Sequence, residues 1–263
     1  MHITSRDNSL LRQVRAVRDD KIDELIFIEG LRLCEEALRS QLEIEAVVVS
    51  EELLRKERVA GVIQELSSSS KRFASVSEKL LESVSYTKTP QGIIVLAQRP
   101  EASESRLASQ LDANPLLVVL HQINNPVNVG AILRTSEAAG AAGVITTKNT
   151  SDPFSPKSLR GAMGSAFRLS MWNGPSYTEM IDWCRQRGIA TICADVDATT
   201  SYSEIDWTNS SALILGPEST GLTSEELQLA DHRVSIPMKG MAESLNVAVA
   251  AGVLLFECAR QRR

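Results

Sequence analysis

The sequence predicts an α/β protein in two parts, a small α/β sandwich followed by a larger domain on a mostly parallel sheet. Three observations predict it. Short runs rich in β-branched residues alternate with helix-spaced segments along the chain. The apolar pattern fades between Gln98 and Asn114, with Pro100 and Pro115 flanking the gap, and 263 residues are enough for two units. In the last quarter, two strand-like runs break into glycine-containing loops, the place where open α/β sheets take their ligands.

The first part, 1–98, reads as follows. Residues 8–20 carry Leu10, Leu11, Val14 and Val17 at helical spacing, and 30–40 carry Leu31, Leu33, Ala37 and Leu38. Between them Leu25-Ile26-Phe27-Ile28 is a short strand ending at Glu29-Gly30, and 44–49 is a second. A helix is expected over 51–66, stopped by the serine run 67–70. A strand at 73–76, a helix at 78–84 and a strand at 92–97 complete the unit. Residues 99–112 read as a linker with at most one helical turn.

The second part, 113–263, opens with Leu116-Leu117-Val118-Val119-Leu120, a run of the length of a buried parallel strand. A polar turn, 124–130, precedes a helix expected over 131–139. Strands at 142–147, 191–195, 213–215 and 234–236 alternate with helices at 158–166, 177–187 and 223–229. The last helix runs from 245 to about 258, and its stretch 247–256 is apolar on every face. It must therefore be buried all round, against its own sheet and a second subunit.

Composition removes several classes. No run approaches the roughly 18 apolar residues that span a bilayer. The N-terminus lacks the apolar core of a signal peptide, which makes the cytoplasm the expected compartment. Cys34, Cys184, Cys193 and Cys258 are scattered and read as buried thiols, and His2, His121 and His232 give no metal spacing. No metal is expected. A net charge of −5 does not mark a nucleic-acid binder, although Arg6, Arg12, Arg15 and Arg18 face only Asp7 in the first eighteen residues.

Gly216-Pro217-Glu218-Ser219-Thr220-Gly221-Leu222-Thr223 has the skeleton of a phosphate-binding loop, with Leu222 where lysine belongs. Glu218 would repel a triphosphate, so the loop suits hydroxyls, an amine or a cation instead. Thr223 and Glu226 form a capping-box pattern for the following helix. Asn128, six residues before Arg134, reads by itself as a helix cap with a surface arginine. Ser244 is a natural cap for the last helix, and Asn246 then falls where a dry helix would have to satisfy its amide.

Together these stretches resemble the SpoU, or TrmH-like, branch of the SPOUT RNA methyltransferases. The likeness lies in Asn128-x-Gly130-x-x-x-Arg134, in Leu215-Gly216-Pro217-Glu218-x-x-Gly221-Leu222, and in Ile236-Pro237-Met238-x-Gly240-x-x-x-Ser244-Leu245-Asn246. Ser155-Pro156-Lys157-x-x-Arg160-Gly161 is also similar. Glu29-Gly30 and Thr89-Pro90-Gln91-Gly92 give the first part a weaker likeness to L30e-like substrate domains. Ser219 departs from the glycine that many relatives have there.

The resemblance implies a C-terminal trefoil knot, one of the rare exceptions to unknotted chains. It further implies a homodimer, S-adenosylmethionine as donor, and methylation of a ribose 2′-OH in RNA. Ribosomal RNA is the expected substrate and transfer RNA the alternative; an RNA-binding module without catalysis is the competing class. The resemblance assigns Leu215, Gly216, Gly221, Ile236, Met238, Ser244 and Leu245 to the donor pocket. It assigns Arg134, Asn128, Glu218, Ser244 and Asn246 to the reacting groups. Lys157, Arg160 and Arg168, with Arg12, Arg15 and Arg18, are the candidate phosphate contacts.

Overall fold

A computed structural model describes residues 1–263. In the first hundred residues Asn8 starts the first helix, its side-chain oxygen accepting the Leu10 N–H at 2.9 Å. The elements are β1 (His2–Ile3), α1 (Ser9–Arg18), β2 (Leu25–Glu29), α2 (Leu31–Arg39), β3 (Ile44–Ser50), α3 (Glu51–Leu54), α4 (Ala60–Ser69), β4 (Ser70–Val76), α5 (Glu78–Val84) and β5 (Ile93–Gln98). The sheet order is β1-β4-β3-β5-β2, parallel from β1 through β3 and antiparallel at β5. Leu10, Leu11, Val14 and Val17 of α1 join Phe27, Val48 and Leu96 in one core.

Two details explain sequence features here. The Glu29 carboxylate is buried and accepts the Tyr86 and Thr87 backbone N–H groups, both at 3.0 Å, and the Thr87 hydroxyl at 2.7 Å. Gln91 accepts the Leu31 N–H at the start of α2, beside Gly30, whose φ of 100° excludes an ordinary side chain. The Glu29-Gly30 and Gln91-Gly92 pairs therefore close one loop. The helix expected over 51–66 is instead α3, a 3₁₀ turn at Glu57–Val59 and α4. The serine run does not stop it: α4 reaches Ser69, and Ser70 already pairs with Ile44. Low serine propensity there loses to the sheet and to Ser68 and Ser70, which bond back to carbonyls of α4.

Further along come α6 (Glu104–Ser109), β6 (Leu116–Leu120), α7 (Pro126–Ala138), β7 (Gly143–Thr146), α8 (Pro156–Ala162), α9 (Ser165–Arg168), β8 (Met171–Asn173), α10 (Tyr177–Gln186), β9 (Ala190–Ala194), β10 (Ser211–Leu215), α11 (Ser224–Leu229), β11 (His232–Val234) and α12 (Val247–Gln261). Six strands, in the order β11-β9-β10-β6-β7-β8, are all parallel. β6 and β10 are buried along their whole lengths, as both-faced cover requires. α12 packs against α7.

The compact units are Met1–Pro100 with Phe154–Arg168, and Glu101–Pro153 with Leu169–Arg263. This redraws the expected division at two places. The expected linker contains α6, whose Leu107 is fully buried in the second unit's core with Leu117, Ile145 and Trp183. Segment 154–168, expected in the second part, packs in the first, where α8 lies against β2. The single helix expected at 158–166 breaks at Met163 and Gly164, both at positive φ, where a Cβ on Gly164 would lie 2.8 Å from Glu36. Two short strands, β1 and β8, had no clear pattern in the sequence.

Candidate active site

Because the sheet is parallel and Leu120 is in register with Leu215, the loops after β6 and β10 leave from the same edge. The loop after β11 joins them there, since β11 and β10 both flank β9 in parallel. Asn125, and not Asn128, caps α7: its side chain accepts the Val127 N–H at 3.0 Å, and Pro126 opens the helix five residues before the expected start. Asn128 is thereby freed for another use. It is only 6% exposed, and its Nδ2 donates to Glu218 Oε1 at 2.7 Å. Its Oδ1 accepts the Asn246 Nδ2–H at 3.3 Å.

Asn246 completes this line from the start of α12. It is the cap of that helix in place of Ser244, its Oδ1 accepting the Ala248 and Val249 N–H groups at 2.9 and 3.4 Å. The structure thus brings Asn128, Glu218 and Asn246 into one hydrogen-bonded chain from three distant motifs. Arg134 is not brought into it. Six residues correspond to about 9 Å of helix rise and a third of a turn away from Asn128, and Arg134 is exposed.

The donor-pocket candidates line this edge. Leu215 is the last, buried residue of β10. A Cβ on Gly216 would lie 2.8 Å from Leu222 Cγ and 3.2 Å from its nitrogen, so the loop folds back where only glycine fits. Gly221 turns at φ 65°, its N–H bonded to Pro217 O at 3.0 Å. The 234–236 strand is displaced: β11 covers His232–Val234, leaving half-buried Ile236 and exposed Met238, Ser244 and Leu245 in the following loop. Apolar side chains, a tight glycine turn and one carboxylate in the 216–223 loop fit a sulfonium nucleoside carrying an amine. They do not fit a triphosphate.

Beneath the loop lies a buried cluster that the sequence marked only in part. His121, 3% exposed, follows β6. Its Nε2 lies 2.9 Å from Glu226 Oε1 and its Nδ1 2.9 Å from Thr147 Oγ1. Tyr177 meets the imidazole edge to face at 4.8 Å and donates its hydroxyl to the Glu226 carbonyl at 3.0 Å. Burial holds the His121 pKa below its usual value against the opposing pull of Glu226. Partial burial raises that of Glu226, but the Thr223 N–H and His121 outweigh it and the net shift is downward. Thr147 and Tyr177 carried no sequence signal; the Thr223–Glu226 capping box did, and it forms as expected.

The RNA-contact candidates separate. Arg15 donates to Arg6 O at 2.8 Å, Arg18 to Asp19 and to Ser85 O, and Arg168 pairs with Glu36 at 2.6 Å. These three are engaged in holding the first unit together. Arg12, Lys157 and Arg160 are exposed. Lys157, Arg160 and Arg168 belong to the first unit, whereas the first motif belongs to the second.

The fold is that of an α/β protein whose candidate ligand site lies at the carboxyl edge of a parallel sheet. The chain belongs to the SpoU rRNA methylase family, whose model matches residues 115–256, and an MRM3-like substrate binding domain matches 10–95. It is a methyltransferase that uses S-adenosylmethionine. It is 32% identical to RlmP, the 23S rRNA guanosine-2553 2′-O-methyltransferase of Bacillus subtilis, over 87% of this chain and 86% of that one. It is similar to an AdoMet-bound rRNA methyltransferase from Sinorhizobium meliloti, with TM-score 0.86, 28% identity and coverage of 99% and 97%. The SpoU methyltransferase AviRb of Streptomyces viridochromogenes matches with TM-score 0.85, 26% identity and coverage of 97% and 98%.

Proposed function

We propose that this protein transfers a methyl group from S-adenosylmethionine to a ribose 2′-OH of ribosomal RNA. The observation that carries the reading is the Asn246–Asn128–Glu218 chain, which ties three separate motifs to one edge of the sheet. S-adenosylmethionine, when bound, supplies an electrophilic methyl. The protein's own part is to place the hydroxyl oxygen in line with it and to handle the proton. Gly216, Gly221, Leu215, Ile236, Met238 and Leu245 hold the donor, and Ser244, exposed beside Asn246, offers a further hydroxyl.

Glu218, fixed by Asn128, and Asn246, fixed at the cap of α12, orient the reacting groups. A guanidinium is a poor proton acceptor, so the role of Arg134 is to stabilise the developing alkoxide or anchor a phosphate, and the proton leaves through another group or water. Arg12, Lys157 and Arg160 supply phosphate contacts, and binding weakens steeply with salt. The protein acts as a homodimer in the cytoplasm. A second copy covers the open face of α12, where Val249 and Phe256 are 54% and 52% exposed.

Mapping of 2′-O-methyl nucleosides in RNA from cells with and without the gene tests the reaction. A single ribosomal position that loses its methyl supports it, and a lost transfer-RNA position redirects it. No change in any RNA overturns it. Arg134→Lys is expected to lose turnover at unchanged RNA affinity; near-parental turnover removes Arg134 from the reacting groups.

A further inference from the structure

We propose that His121 is a positioning residue that clamps both ends of the 216–223 loop and thereby sets the affinity for the methyl donor. The inference rests on the reading that this loop takes the donor. The near end of the loop is held by the backbone: His121 N–H donates to Leu215 O at 2.9 Å, where β10 stops. The far end is held by the side chain. Glu226 Oε1 faces His121 Nε2 at 2.9 Å, while Oε2 of the same carboxylate accepts the Thr223 N–H at 2.8 Å.

The hydrogen-bond chemistry assigns the tautomer. An ionised carboxylate only accepts, so the proton of the neutral ring sits on Nε2 and points at Glu226. Nδ1 is then an acceptor, served by the Thr147 hydroxyl at 2.9 Å. Every polar atom of the buried ring is used, and the ring cannot turn without breaking both bonds. Tyr177 closes the other side of the same residue through the Glu226 carbonyl.

The loop needs this anchor because α11 is weakly held. It is six residues long and none is buried, with Leu227 and Ala230 only partly packed on the core. Without His121 the carboxylate loses its fixed donor, and the Thr223–Glu226 capping box that ends the loop is no longer tied to the end of β6. Gly216 and Gly221 then sample more conformations, and the donor must order them on binding.

The test uses the full-length protein at a temperature where circular dichroism shows each variant folded. Three readouts are taken: Kd for S-adenosylmethionine by calorimetry, amide hydrogen exchange of 216–223 without ligand, and RNA affinity. His121→Ala is expected to weaken donor binding on the order of tenfold and to speed exchange in the loop, with RNA affinity unchanged. His121→Gln, whose amide can still donate to Glu226, is expected to restore Kd to within about twofold of the parent. Gly216→Ala serves as the loop control and is expected to weaken donor binding by crowding Leu222.

A role in stability alone would lower the melting temperature of His121→Ala and leave Kd and loop exchange unmoved. That result, with Gly216→Ala weakened, overturns the clamp but keeps the loop as the donor site. Equal weakening by His121→Ala and His121→Gln also overturns it, because the hydrogen bond is then not what matters. Unchanged binding in Gly216→Ala removes the donor from this loop, and the clamp with it.

Discussion

Asn128 shows how a residue's meaning depends on which neighbour takes the obvious role. Because Asn125 caps α7, the Asn128 amide is left to bridge a carboxylate and another amide. The bridge uses one donor and one acceptor, which asparagine supplies and aspartate does not. Asn128→Asp sets two carboxylates at hydrogen-bond distance, where one must hold a proton to remain. At pH 7.5 this variant is expected to turn over at least about tenfold more slowly than Asn128→Ala, since it repels Glu218 where alanine only releases it. The gap should narrow toward pH 5.5 as the pair shares a proton. Single-turnover rates against pH measure this, and a constant gap across that range rejects the bridge.

At the scale of the element, α12 departs most from what its sequence implies. Its stretch 247–256 is apolar on every side, yet Ala251, Leu254, Leu255 and Cys258 face the core while Val249 and Phe256 lie open. One face is buried within the chain, and the other is the face the proposed second copy would cover. If a second copy covers this face as proposed, the parent runs as a dimer in sedimentation equilibrium and Val249→Asp with Phe256→Glu is expected to give a monomer. An unaltered mass places the interface elsewhere. The far end of α12 is fixed by Arg262, whose guanidinium donates to Trp207 O at 2.7 Å, Asn114 O at 2.6 Å and Asn209 O at 2.5 Å, and to Ser211 Oγ at 3.1 Å. Arg262→Ala strands those acceptors and is expected to cost about 2–3 kcal/mol in urea unfolding, whereas Ser211→Ala costs under about 1 kcal/mol. Donor binding should be unchanged by either.

For the whole molecule, buried titratable groups set the acid limit. His121 has its folded pKa below 6.5, so the unfolded chain binds its proton first as pH falls. The stability it contributes is complete above pH 6.5 and is lost as pH drops through the folded value. Glu226 and Asp231, held below 4.5 and 3.8, contribute above those values and lose that contribution further down; for Asp231, burial opposes the shift and the Thr191 bonds outweigh it. The unfolding midpoint is therefore expected to be level from pH 7 to 8 and to decline below about 6.5, the histidine step preceding the carboxylate step. His121→Gln should remove the first step and keep the second. A parent whose stability rises between pH 6.5 and 5 contradicts this assignment.

The sequence by itself determined the parallel strands, the glycine loops that end them and the residues of the three motifs. Each of these is written in local pattern: fully apolar five-residue runs for β6 and β10, and a tight turn at Gly216 and Gly221. Those patterns also carried the family. What only the tertiary structure decided is partnership. Asn128 meets Glu218 across 90 residues and Asn246 across 118, and Leu107 is drawn from an apparent linker into a core. Segment 154–168 packs with the first unit although it lies within the second in sequence. Periodicity reports which face of an element is apolar, but not which distant element covers it. That choice is made by burial and hydrogen bonding summed over the folded chain.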